Sequence, residues 1–203
     1  MKKLLASVLA LGLISVPALA GNYVLTIDGK SQDIDLGQAS AITLENGQTL
    51  ELLLSKKDIL NFKTNNFSFD YPSEFTPART NLGDGIYQTM LATPMGSLIL
   101  VQEYENMDPS SMIDMMVHEL TKEEVQYGYK IDKTEEAKSV NGNTFKGQKA
   151  VATYKDEQNI RYVMTYSARD AGLLVVTMLD KTAPEKDIKM VEDFWSSLKA
   201  SME

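Results

Sequence analysis

No cysteine occurs in this chain, histidine occurs once, as His118, and proline only six times. Without thiols there is no disulfide framework, no thiolate metal site and no cysteine nucleophile. With a single imidazole, serine triads are left with one candidate base. Basic residues are also in deficit, 20 against 28 acidic ones, for a formal charge of −8. Such a surface opposes nucleic acid and anionic membranes, because each phosphate contact needs a lysine or arginine. Long apolar runs are absent as well: the longest, residues 4–16, is too short to span a bilayer comfortably.

That short run has a different reading. Lys2 and Lys3 precede it and Ala18-Leu19-Ala20 follow it, which is the order of a positive n-region, an apolar h-region and a small-residue cleavage site. Residues 1–20 are therefore predicted to be a signal peptide, with Gly21 opening a soluble periplasmic or secreted product. The cleaved chain loses two lysines and becomes more negative by two charges. Because Gly21 stands where a lipoprotein needs cysteine, no membrane anchor is expected after cleavage. Residues 21–203 are numerous enough for one domain to bury about 70% of its unfolded surface, so staples are optional.

The pattern predicts a β-hairpin module over 21–61 and an α+β domain over 62–203. In the module, residues 23–27 and 32–36 flank Asp28-Gly29, while 41–44 and 49–54 flank Asn46-Gly47. Both dipeptides readily take positive φ in hairpin turns. So small a module is expected to pack on, or extend, the larger domain's sheet. In the larger domain, 66–71, 86–92 and 97–104 read as strands, and Leu98-Ile99-Leu100-Val101, apolar on both faces, belongs in a covered sheet centre. A helix is predicted from Asp108-Pro109 to about Gly128, its core stripe formed by Met112, Ile113, Met116, Val117 and Leu120. Strands over 134–140, 144–155, 159–168 and 172–179 follow. A closing helix begins near Pro184, with Ile188, Val191, Phe194, Trp195, Leu198 and Met202 on one arc and Trp195 as a core anchor. The predicted fold is a mainly antiparallel sheet covered by helices.

Phe67-Ser68-Phe69-Asp70-Tyr71-Pro72, the stretch from Asn141-Gly142 through Phe145-Lys146-Gly147-Gln148-Lys149-Ala150, and Gly172-Leu173-Leu174-Val175-Val176 before Phe194-Trp195-Ser196-Ser197-Leu198 resemble the PsbP-like superfamily, within it the bacterial DcrB and domain-of-unknown-function type. The likeness covers about residues 62–200. It implies a PsbP-like sandwich acting as a non-enzymatic binding or assembly factor, and it carries over neither a partner nor a functional residue. Two features depart from the type: the missing lipid-bearing cysteine and the hairpin module.

Few residues offer chemistry. Ser110 and Ser111 precede His118, with Ser111 on the same helix face two turns away, but no orienting acid or oxyanion hole is signalled. His118-Glu119-Leu120-Thr121-Lys122 resembles half of a zincin motif, with an ammonium where the second zinc ligand belongs. Met107, Met112, Met115 and Met116 cluster with His118, and thioether with imidazole suits copper(I). Met115 and His118 leave the apolar stripe together and are the candidate metal pair, whereas Met112 and Met116 read as core. Tyr154, Tyr162 and Tyr166, on adjacent strands, either line a ligand groove or partner surface or pack beneath a helix. The sequence thus predicts an exported, non-enzymatic factor with a protein partner and no cofactor. The alternatives are a small-molecule or copper binder and a hydrolase with an unusual site. Mass spectrometry of the exported protein is expected to find Gly21 at its N-terminus; an intact residue 1–20 segment on the exported form would contradict the leader.

Overall fold

A computed structural model describes residues 23–202; the predicted leader over residues 1–20 and Gly21 lie outside the described residues. The chain divides at Lys56–Lys57 into two compact units. The first holds two hairpins, each a two-stranded sheet of its own: β1 (Tyr23–Ile27) with β2 (Lys30–Ile34), and β3 (Ala39–Thr43) with β4 (Thr49–Leu53). Asp28 and Gly29 take φ of 48° and 81°, the paired positive values that let a two-residue turn match strand twist. A parallel bridge between Leu36 and Leu54, and an ion pair of Lys30 with Glu45 at 3.4 Å, join the hairpins, and Ile34 and Ile42 are buried.

The second unit begins five residues before the predicted boundary at Phe62. The reason is β5 (Ile59–Lys63), which pairs antiparallel with β6 (Phe67–Pro72). The expected strand 86–92 is β8 (Ile86–Ala92), followed by β9 (Leu98–Tyr104). The pattern gave no sign of β7 (Ala78–Gly83), because every residue in it is exposed and none alternates. After β9 come a 3-10 turn (Pro109–Met112) and α1 (Ile113–Tyr127), then β10 (Lys130–Val140), β11 (Asn143–Tyr154), β12 (Glu157–Ser167) and β13 (Gly172–Asp180), then α2 (Glu185–Ser197) and β14 (Lys199–Ala200). Leu198 and Met202 do not continue the closing helix as predicted. Leu198 leaves the helical region with ψ of 128°, and the chain pairs Lys199 and Ala200 with Ser68 and Phe67.

All neighbours in the seven-stranded main sheet, ordered β10-β11-β12-β13-β9-β8-β7, are antiparallel. From β9 the chain crosses through α1 to the far edge, then returns strand by strand until β13 closes beside β9. Alternation along β13 sets the layers. Leu173 and Val175 enter a core with Phe67, Phe69, Phe145, Met190 and Phe194, whereas Leu174 and Val176 enter a second core with Val117 and the α1 stripe. Both faces are thus covered, as the doubly apolar strands require. The cover is only partly helical: α1 lies on one face, while the other receives α2 together with the three-stranded sheet β14-β6-β5. Trp195 is half-buried against Phe145 and Phe194, and its Nε1 donates to Thr177 Oγ1 at 3.2 Å.

Two glycines in the stretches quoted above are fixed by close approach. A Cβ on Gly147 would stand 2.0 Å from the Val163 carbonyl oxygen, and one on Gly172 would stand 2.4 Å from Cδ of buried Pro109. Gly147→Ala is therefore expected to destabilise the fold by about 1–3 kcal/mol through overpacking. Gly142→Ala, in a turn with φ of 82° and no atom within 4 Å, carries only the left-handed penalty of about 1–2 kcal/mol. Denaturant melts compare the two; a harmless Gly147→Ala would contradict the close approach.

Candidate functional site

On α1 the predicted core stripe packs as expected, and Met112 and Met116 belong to it. Met115, 52% exposed, and His118 face outward one turn apart, with Met107 exposed before the 3-10 turn. Among the described residues no three histidine, aspartate or glutamate side chains group as a metal site. Glu119 and Lys122 pair with each other. The hydrogen bond and charge of Lys122 hold the Glu119 carboxyl below its usual range, and Glu119 raises the Lys122 ammonium in return. The zincin-like positions therefore form a surface ion pair. Ser110 and Ser111 are not brought to His118 by any hydrogen bond among the described residues. The Ser110 N–H instead donates to Asp108 Oδ1 at 2.9 Å, and the Ser167 hydroxyl reaches the same oxygen at 2.6 Å. These bonds, that of Ser167 foremost, hold the Asp108 carboxyl low and make it a helix cap.

The three strand tyrosines do not line one groove. Tyr162 and Tyr166 point from β12 into the α2 side of the main sheet, where Tyr166 lies 5.6 Å from Phe145 and Lys138 sits 4.3 Å above Tyr162. Tyr154 pairs with Glu157, an odd-numbered position that faces the α1 side. Odd separation along a strand reverses the face, so Tyr154 belongs to a different surface.

That surface is the end of the main sheet where α1 stops. Gly128, with φ of 95°, ends the helix, and its N–H donates to the Val125 carbonyl while the Tyr129 N–H donates to that of Glu124. The turn delivers Tyr129 to Tyr154, their ring centres 5.2 Å apart, and the Tyr129 hydroxyl donates to Glu157 Oε2 at 2.5 Å. Tyr127, 79% exposed, and Val125, 54% exposed, stand beside the turn. Beneath them Glu124 Oε1 accepts from Asn159 Nδ2 and Arg161 Nη2, both at 2.7 Å. Arg161 is 7% exposed, and its Nε and Nη1, like Glu124 Oε2, have no partner among the described residues. A cleft of about 210 Å³ adjoins, lined by Met95, Arg161, Met178 and Asp180 among others. The Tyr129 phenol is pushed up to about 12, first by its bond to Glu157, then by burial and by the charges of Glu157, Glu124 and Asp180. At neutral pH it is a donor, never a base. Aromatic faces ringed by carboxylates suit recognition.

Elsewhere, Glu103 is wholly buried, with Oε1 taken by Arg79 Nε and Nη2 and Oε2 by Thr64 and Asn66. Arg79 also lies 4.3 Å over the Tyr87 ring, beside a polar cleft of about 430 Å³. Every oxygen of this carboxylate is engaged in tying β7 and the β5–β6 turn to β9. Asp187, also buried, accepts from Thr93 Oγ1 at 2.6 Å. Glu103 and Asp187 share no partner, so they do not form the buried acid pair that a hydrolase reading needs. Sequence reasoning passed over Glu103, although parity with Ile99 and Val101 placed it facing inward. Glu124, Arg161 and Tyr129 carried no local signal, since their partners lie 28 to 37 residues away.

No family model and no curated protein matches the chain. Among solved structures it is similar to a crystal structure from Bacteroides thetaiotaomicron, with 12% identity, a TM-score of 0.42 and 70% of this chain covered. It spans about half, 48%, of that chain. It is also similar to the solution structure of cyanobacterial PsbP (CyanoP) from Synechocystis, with 8% identity, a TM-score of 0.47 and coverage of 70% of this chain and 92% of that one.

Glu157→Gln is expected to bring the Tyr129 phenol back towards its ordinary value of 10.0. Because the folded value is the higher one, the contact's contribution to stability is complete below about pH 10 and is lost as pH climbs through about 12. Phenolate absorbance during alkaline titration reads this directly; a Tyr129 phenol that titrates alike in both proteins would contradict the bond.

Proposed function

We propose that this protein is an exported, non-enzymatic binding or assembly factor of PsbP-like fold and DcrB type, docking a protein partner on the tyrosine-bearing end of its main sheet. Export draws on the leader pattern of residues 1–20, and no helix among the described residues is long and apolar enough to cross a membrane. The family reading draws on the resembling stretches, whose Phe67, Phe69, Phe145, Leu173 and Phe194 are core residues and whose Gly147 and Gly172 sit at close contacts. The observation that carries docking is Tyr127, four-fifths exposed at the end of α1, just before the turn that brings Tyr129 to Tyr154. Exposed tyrosines concentrate at interfaces because they bring a large apolar face and a hydrogen-bonding tip at small entropic cost.

A second reading, copper(I) held by Met115 and His118, draws on their shared outward face. Met112 and Met116 are packed in the core, which leaves that pair short of ligands and favours the protein partner.

A photo-crosslinking residue placed at Tyr127 in living cells is expected to give one discrete adduct, diminished severalfold by Tyr154→Ala, and the same residue at Lys189 on α2 is expected to give none. Equal labelling from both positions, or none from Tyr127, would overturn the docking surface.

A further inference from the structure

Resting on that docking reading, we infer that the sheet-end surface recognises a cationic segment of its protein partner, an arginine or lysine side chain laid on the Tyr129–Tyr154 rings within a ring of carboxylates.

Two independent observations point this way. The first is charge. α1 ends here with no basic residue in its last turn, so no side-chain cation offsets the partial negative charge of its carbonyl end, and Glu123 adds to it. Glu157 holds the Tyr129 hydroxyl, the charges of Glu124 and Asp180 also act on that phenol, and Asp156 occupies the adjoining turn. The neighbouring cations are largely engaged: Lys130 pairs with Asp132 at 2.8 Å and Arg161 with Glu124.

The second is Lys155. Four non-glycine residues take positive φ among those described, and three are the aspartates and asparagine that tolerate it; the fourth is Lys155, at 52°. A lysine in the left-handed region carries strain of about 1–2 kcal/mol that glycine would relieve. Its Nζ lies 5.0 Å from the centre of the Tyr154 ring. The chain's own cation thus occupies the place assigned to the partner's.

The full mature protein is titrated by calorimetry with a short arginine–serine peptide and, in parallel, a glutamate–serine peptide. The arginine peptide is expected to bind and the glutamate peptide not. Tyr154→Ala should weaken binding about threefold to tenfold, the range of one exposed to partly desolvated cation–π contact. Glu157→Gln should weaken it severalfold, whereas Glu185→Gln on α2, which removes the same unit of charge elsewhere, should leave it unchanged. Lys155→Gly should tighten it, since the ring is freed and the backbone relaxes. Circular dichroism melts confirm that each variant is folded. Equal weakening by Glu157→Gln and Glu185→Gln would reveal unspecific attraction to an anionic protein and overturn the inference, as would looser binding in Lys155→Gly or a preference for the acidic peptide. If no peptide binds while the Tyr127 adduct persists, docking stands and the cationic assignment falls.

Discussion

The constraint on which this structure turns is a strand with no polar side. Along β13, Leu173 to Val176 are all buried, two side chains to each face of the main sheet. A strand of that kind is stable only when both faces are covered, each fully buried aliphatic or aromatic side chain contributing about 1.5–3 kcal/mol. One covering layer is α1, inserted between β9 and β10; the other is α2 with the three-stranded sheet. Placing α1 across β10, β11 and β12 brings its C-terminal end to the β11–β12 hairpin, and the tyrosine surface is a consequence of that placement.

Buried polar groups refine this arrangement. Glu103 shares a face with Ile99 and Val101, yet it is saturated by Arg79, Thr64 and Asn66, so the edge strand β7 and the turn before β6 are tied to the sheet interior. Losing one partner of such a group leaves a buried charge unpaired, typically a cost of about 3–5 kcal/mol. Glu124 does comparable work between α1 and β12, with a single strong contact to Arg161 and one to Asn159. The larger cleft is therefore bordered by structural ion pairing, while the aromatic residues at the sheet end stay partly exposed.

Much of the architecture was legible because it rests on periodicity. The helix stripe, the doubly apolar strands and the Asp28-Gly29 turn follow from side-chain spacing and positive φ. β7 was not legible, since an all-exposed edge strand has no apolar alternation to show. The end of α2 was misread because Leu198 continues the helical spacing while its backbone turns to extended geometry to pair with β6. At the candidate surface, Tyr154 was visible as a tyrosine with two possible roles, but its separation from Tyr162 and Tyr166 needed the β11–β12 register. Tyr129 and Glu157 meet only after α1 and two strands have folded.

Native-state hydrogen exchange resolved by residue tests most directly whether β13 governs the fold. Amides from Leu173 to Val176 should exchange only through global unfolding and be the slowest in the protein, while those of β7 exchange through small local openings. Amides of β13 that exchange as readily as those of β7 would contradict the claim that its double burial organises the layers around it.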